Sequence, residues 1–200
     1  MGIQRYKCSS CGKRFQDHYV YKAHLPQTNA QISVLLKEGC GIRSIARILG
    51  ISPTTVQSRI LSIASTLLKP VIPLGKEYEL DELCTYIGKK SRHIWVAYAL
   101  RTDTKEVVDF AVGRRTNKTL KRVTNTLLGA EAVKINTDKL RNYRSLVPRH
   151  IHKLKQYGTN HIERMNLTLR THLKRLNRRT ICFSKSMAML SACLTIYFWG

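Results

Sequence analysis

The sequence predicts a mixed α+β or α/β protein in three parts: a small cysteine-bearing N-terminal piece, a helical unit, and a mixed sheet covered by helices. Three observations predict it. Residues 28–69 carry helical periods broken by glycines, residues 76–138 alternate like strands around one helical stretch, and residues 139–200 are basic and mostly helical. Pro70 and Pro73 flank a short apolar stretch before Gly75 and read as a linker. The expected boundaries are therefore 1–27, 28–70 and 76–200.

The first part centres on Tyr6-Lys-Cys-Ser-Ser-Cys-Gly-Lys-Arg-Phe15. Two residues between Cys8 and Cys11 let both thiolates reach one metal, and Gly12 permits the tight turn that follows, as in a zinc knuckle. A tetrahedral Zn²⁺ site needs four ligands. His18 and His24 are candidates for the second pair, although the gap to His18 is shorter than in common fingers. The piece is zinc-ribbon-like, with an incomplete set of ligands.

The second part predicts three helices. Ala30–Glu38 places Ile32, Leu35 and Leu36 on one side before Gly39 and Gly41 break it, and Ile42–Leu49 has amphipathic spacing. Gly50 supplies a turn, Ser52 an N-cap and Pro53 a first helical residue, so a further helix runs from about Thr54 through Leu67 with Val56, Ile60 and Ile63 inward. Two helices joined by a glycine-containing turn suit a helix-turn-helix, whose second helix enters the DNA major groove. Thr54, Thr55, Gln57, Ser58 and Arg59 would then face base edges or phosphates. A three-helix bundle without a nucleic-acid role has the same pattern.

In the third part, Glu77–Ile87, His93–Arg101 and Glu106–Arg114 alternate as strands, Asn117–Leu128 has helical periodicity, and Ala132–Asp138 is a fourth strand ending in an acid. Three strands, a helix and a fourth strand are the opening order of an RNase H-like mixed sheet, in which first and fourth strands lie side by side. The apolar segment Met187–Trp199 is shorter than the roughly 20 residues a membrane span requires and reads as a buried helix.

Charge narrows the function. Thirty-five Lys and Arg face twelve Asp and Glu, a formal charge of +23, and such a field draws polyanions, nucleic acid first. Six cysteines, mostly dispersed and with no secretory signal ahead of them, fit a reducing cytosol better than a disulfide framework. Beyond Phe110 the only acids are Glu131, Asp138 and Glu163. A surface built purely for phosphate gains nothing from a carboxylate, so Glu163 needs a reason. Two-metal phosphoryl transfer supplies one, since it needs oxygen ligands from several elements. An acid of the first strand, Asp138 after the fourth, and Glu163 on a following helix meet the demand. Alternation puts Asp81 and Glu82 on opposite faces, so only one of them is expected to join, and parity alone does not choose.

Residues 79–87 (Glu-Leu-Asp-Glu-Leu-Cys-Thr-Tyr-Ile), 135–143 (Ile-Asn-Thr-Asp-Lys-Leu-Arg-Asn-Tyr) and the long run 159–185, which opens Thr-Asn-His-Ile-Glu-Arg-Met-Asn, resemble transposases of the insertion-sequence-one (IS-one) family. The resemblance covers nearly the whole chain. It implies a zinc ribbon, a helix-turn-helix and a DDE nuclease core, in that order. The catalytic triad falls on Asp81, Asp138 and Glu163, with twenty-four residues between the last two. It also implies two Mg²⁺ (or Mn²⁺) ions, double-stranded DNA as partner (terminal inverted repeats and target), at least a dimer on DNA, no membrane, and a cytoplasmic, nucleoid-associated location in a bacterium. Family members carry a further C-x2-C ahead of the Gln-Arg-Tyr segment. This chain lacks it and reads as N-terminally shortened, while its Leu-Thr-Ile-Tyr-Phe-Trp-Gly end reads as complete.

The implied reaction is hydrolysis at each element end followed by attack of the freed 3′-hydroxyl on target DNA. Arg170 lies two helical turns past Glu163 on the same face and is expected to grip a phosphate near the scissile bond. Lys174, Arg175, Arg178 and Arg179, with His172, are expected along the DNA path. The competing readings are a helix-turn-helix regulator that occupies element ends without cutting, and a structural RNA-binding protein. Neither needs metal-binding acids.

Overall fold

The computed structural model describes residues 4–17, 21–154, 160–177 and 179–200. Near the N-terminus, β1 (Tyr6–Lys7) and β2 (Arg14–Phe15) pair antiparallel around the Cys8–Lys13 turn, where Gly12 adopts φ +68°. Three helices follow: α1 (Thr28–Lys37), α2 (Ile42–Leu49) and α3 (Pro53–Thr66). The turn between α2 and α3 follows from its residues. Gly50 takes the left-handed conformation at φ +65°, and the Ser52 side chain accepts a hydrogen bond from the Thr55 N–H at 3.0 Å ahead of Pro53.

The larger part of the chain builds a five-stranded mixed sheet. Its elements in chain order are β3 (Glu77–Tyr86), β4 (His93–Arg101), β5 (Val107–Gly113), α4 (Asn117–Gly129), β6 (Lys134–Thr137), α5 (Tyr143–Leu146), β7 (His152–Leu154), α6 (Asn160–His172) and α7 (Met187–Trp199). The order across the sheet is β5-β4-β3-β6-β7. The first three strands are antiparallel, and β6 and β7 run parallel to β3. The first and fourth strands of the sheet are therefore neighbours, as the order of elements predicted. β7 was not foreseen: the stretch after residue 139 was read as helical, and three residues are too short to show a period.

Alternation sorts the side chains between two faces. Leu83, Val96, Tyr98 and Leu100 meet Ile162 and Leu169 of α6 and Leu190 and Leu194 of α7. Tyr78, Leu80, Ala97 and Ala99 meet Leu120, Val123 and Leu127 of α4 and Tyr143 of α5. A third core joins Ile32, Leu36, Ile45, Val56 and Ile60 of the helical unit to Met189, Ala192, Cys193 and Ile196. The C-terminal helix is thus apolar all round and buried on two sides. No described helix is long and apolar enough to cross a membrane.

Candidate active site

β6 ends at Thr137, opposite Leu80 of β3, so the β3 edge is unpaired on that side from Asp81 onward. Asp138 follows directly, and its Oδ1 accepts a hydrogen bond from the Leu140 N–H at 2.9 Å, which turns the chain. At this open corner one carboxylate oxygen from each of Asp81, Glu82 and Asp138 lies within 4.8 Å of the others. The expectation that only one of Asp81 and Glu82 could join the cluster is corrected here. Their side chains do leave opposite faces of β3, Asp81 toward α6 and Glu82 toward Arg115 and Tyr143. With no strand beside this edge, both carboxylates reach the same corner as Asp138.

Each acid has a distinct setting. Asp81 accepts from Asn166 Nδ2 at 2.6 Å and from the Glu82 N–H at 2.7 Å, and the Tyr98 hydroxyl donates to Asn166 Oδ1 at 2.9 Å. A chain of hydrogen bonds from Tyr98 through Asn166 thus fixes its orientation. Burial raises the Asp81 pKa above the usual carboxylate value, and the negative charges of Asp138 and Glu163 push the same way, while the two hydrogen bonds oppose them. Glu82 is buried. Its Oε2 takes a fork from Arg115 Nε and Nη2 at 3.3 and 2.9 Å, and its Oε1 accepts from the Tyr143 hydroxyl. Burial raises its pKa too, against those partners.

Glu163 stands in the first turn of α6, exposed, near enough for its charge to act on Asp81 but outside the 4.8 Å group. Its helix is anchored by an acid that sequence reasoning did not single out. The buried Glu79 carboxylate accepts from the Ile162 N–H at 2.8 Å and lies 2.6 Å from His161 Nδ1, capping the start of α6. Its signal was its parity with Asp81 on β3.

Arg170 is placed otherwise than expected. Its guanidinium donates to the Leu176 and Cys84 carbonyls at 2.8 and 3.2 Å, tying α6 to β3 and to the turn of 3₁₀ helix at Lys174–Leu176. Arg175 is also turned inward, only 7% exposed, donating to Ser184 Oγ at 3.1 Å rather than lining a surface path. Lys174 and Arg179 are exposed, and Arg178 lies outside the described residues.

On α3, Thr54, Gln57 and Ser58 are exposed. Thr55 is engaged with Ser52 and with the Tyr21 hydroxyl at 2.7 Å, and Arg59 donates to the Ala23 carbonyl at 3.0 Å. Both therefore help fasten the N-terminal segment to the helix. In the β1–β2 turn, the Cys8 thiol lies 3.0 Å from Ser10 Oγ, and this with nearby backbone N–H groups lowers its pKa to about 6. Among the described residues no third metal-ligating side chain joins Cys8 and Cys11. His24 sits exposed in a short 3₁₀ turn, and His18 lies outside the described residues.

Comparison with known proteins matches residues 77–198 to the family model described as IS1 transposase. The insertion element iso-IS1n protein InsB of Shigella dysenteriae is 39% identical over 109 residues, spanning 54% of this chain and 83% of that protein. The insertion element IS1 protein InsB of Shigella flexneri is 40% identical over 111 residues, spanning 56% and 85%. Among solved structures, a chain of the simian T-cell lymphotropic virus intasome in complex with PP2A regulatory subunit B56 gamma superimposes with a TM-score of 0.44 at 15% identity, covering 82% of this chain and 67% of that one.

Proposed function

Because the chain belongs to the IS1 transposase family, we propose that it binds the ends of an insertion element and catalyses metal-dependent DNA cleavage and strand transfer. The observation that carries this reading is the convergence of Asp81, Glu82 and Asp138 oxygens within 4.8 Å in a chain of charge +23. Arg115 offsets Glu82. Asp81 and Asp138 beside it keep carboxylate oxygens at the same corner, and among the described residues no cationic side chain lies closer to either than the 3.9 Å between Arg115 and Asp138, which leaves room for a further cation there. An all-oxygen donor set fits hard divalent ions such as Mg²⁺ or Mn²⁺.

Asp81 and Asp138, with Glu163 approaching from α6, are the residues that would hold a pair of such ions in an RNase H-like core. When bound, the ions supply charge stabilisation to the attacking and leaving oxygens of an in-line displacement. The protein's own part is positioning. Asn166 and Tyr98 keep the Asp81 carboxylate aimed at the corner, the Leu140 N–H does the same for Asp138, and Glu79 sets the start of the helix that bears Glu163. Thr54, Gln57 and Ser58 are exposed on α3 and would read base edges if α3 acts as the second helix of a helix-turn-helix. Lys174 and Arg179 are exposed and would meet phosphates. Pairing two element ends calls for at least a dimer on DNA.

A strand-transfer assay with terminal-repeat duplex and Mg²⁺ or Mn²⁺ tests the reading. Joined product is expected from the folded protein and is expected to vanish in Asp138→Asn. A folded, DNA-binding protein that makes no product with either ion would sink the enzyme reading and leave a DNA-binding regulator.

A further inference from the structure

We propose that Arg115 is the cationic side chain that meets a DNA phosphate at the carboxylate corner, and that Glu82 is the residue that holds it there. The proposal deepens the transposase reading above and rests on it. A two-metal nuclease acting on a polyanion gains from a fixed positive group beside the acids, because a preorganised donor stabilises charge that develops on the phosphate oxygens. Arg170 donates to two backbone carbonyls that tie α6 to β3 and to the following turn. Arg115, in the turn between β5 and α4, is where such a group belongs. Its Nη2 is 3.9 Å from Asp138 Oδ2 and 2.9 Å from Glu82 Oε2, and its side chain keeps 35% of its surface exposed.

The guanidinium is fixed in two directions. Glu82 grips Nε and Nη2 as a fork, and the Trp95 ring stacks against it at 4.4 Å from the ring centroid. Nη1 and the outward rim remain to donate. Glu82 is itself wholly engaged, with one oxygen on Arg115 and the other on Tyr143. Of the three clustered acids it therefore has the least to offer a metal, and it serves as the counter-ion of the arginine. Lysine would not substitute, since a point charge cannot fill the fork and stack on the indole together.

The test uses the full chain, a terminal-repeat duplex and Mn²⁺, with wild type, Arg115→Ala and Arg115→Lys. Single-turnover cleavage at saturating DNA is expected to fall about 10²–10³-fold in Arg115→Ala, the range for losing one preorganised donor. DNA affinity is expected to change by no more than about threefold, since many other cations contribute to non-specific binding. Mn²⁺ affinity measured by calorimetry without DNA is expected to rise several-fold in Arg115→Ala, because a cation beside Asp138 has gone. Arg115→Lys, which keeps a charge beside Glu82 and carries the test should the alanine variant melt too low, is expected to bind Mn²⁺ like wild type yet cleave at least about tenfold more slowly. Cleavage by both variants within threefold of wild type, a rate loss matched by an equal loss of DNA affinity, or an alanine variant with unchanged Mn²⁺ affinity would overturn the assignment. A folded wild type that binds Mn²⁺ and DNA but cuts nothing overturns instead the transposase reading on which the assignment rests.

Discussion

Asp81 holds a carboxylate whose burial, together with the charges of Asp138 and Glu163, raises its proton affinity. An acid whose folded pKa exceeds its unfolded value binds more protons in the native state. Its contribution to stability is therefore present at low pH and lost as pH rises from the ordinary value of 3.8 through the raised one. In chelator, the melting temperature of Asp81→Asn is accordingly expected to gain on that of wild type as pH is raised from about 4 to neutrality, and excess Mn²⁺ is expected to reverse the gain, because the ion stabilises only the intact acid set. Differential scanning at matched ionic strength checks this. A difference that shrinks with pH, or that ignores Mn²⁺, would remove the reason for regarding the corner as a cation site. At this scale an acid at the end of the fourth strand was readable from the residues, whereas the choice of Asp81 over Glu82 came from the family resemblance; Asp81 of β3 and Asp138, which follows β6, do lie at one corner. The sequence was not legible for Glu82, because alternation sends its side chain to the face opposite Asp81 and does not reveal that the unpaired edge beyond Leu80 lets both carboxylates reach one corner. Arg115 was hidden for a similar reason: its partners lie on β3, β4 and after β6, and no spacing along the chain signals them.

The helix α6 places Glu163 through its first turn, and that turn is fastened by Glu79. Four N–H groups at a helix start lack intrahelical partners, and a buried carboxylate that satisfies one also meets the positive end of the helix dipole. Glu79→Ala is expected to destabilise the fold by about 2 kcal/mol, within the range for charge-assisted hydrogen bonds, as measured by urea denaturation. It is also expected to slow cleavage further than the stability loss accounts for, since Glu163 would lose its registration on the corner. Glu79→Gln keeps an acceptor for the Ile162 N–H and is expected to lose about half as much stability. A variant that unfolds earlier but cleaves normally while folded would reduce Glu79 to a packing residue. Most elements were readable beforehand because their periods were long enough: β3, β4, β5, α2, α4 and α7 fall within one or two residues of their expected bounds. β7 and α5, with three and four residues, have too few side chains to show any period. Helical spacing gives the direction of Arg170 but not its contacts with the carbonyls of Cys84 and Leu176.

At the scale of the whole molecule, α7 joins parts that the sequence separates at residues 70–76. Leu190 and Leu194 belong to the core beneath the sheet, whereas Met189, Ala192, Cys193 and Ile196 complete the core of the helical unit. Gly39 brings the same parts together at another point. A Cβ there would lie 2.2 Å from the His172 carbonyl oxygen, and its φ of +76° is one that L side chains rarely adopt. The proposed DNA-reading helix and the proposed catalytic corner are thus built on one packed body, an arrangement that would suit an enzyme cutting at a fixed distance from the sequence it reads. Such a body should unfold as a unit. Ile196→Ala empties a fully buried position of the helical core, and Leu194→Ala one of the sheet core. Each is expected to cost about 2–5 kcal/mol, and both are expected to shift one and the same cooperative transition, with far-UV circular dichroism and Trp95 and Trp199 fluorescence coinciding. If Ile196→Ala instead produced an early transition in circular dichroism while the tryptophan signal stayed at its wild-type midpoint, the helical unit would be melting by itself and α7 would not couple the two cores.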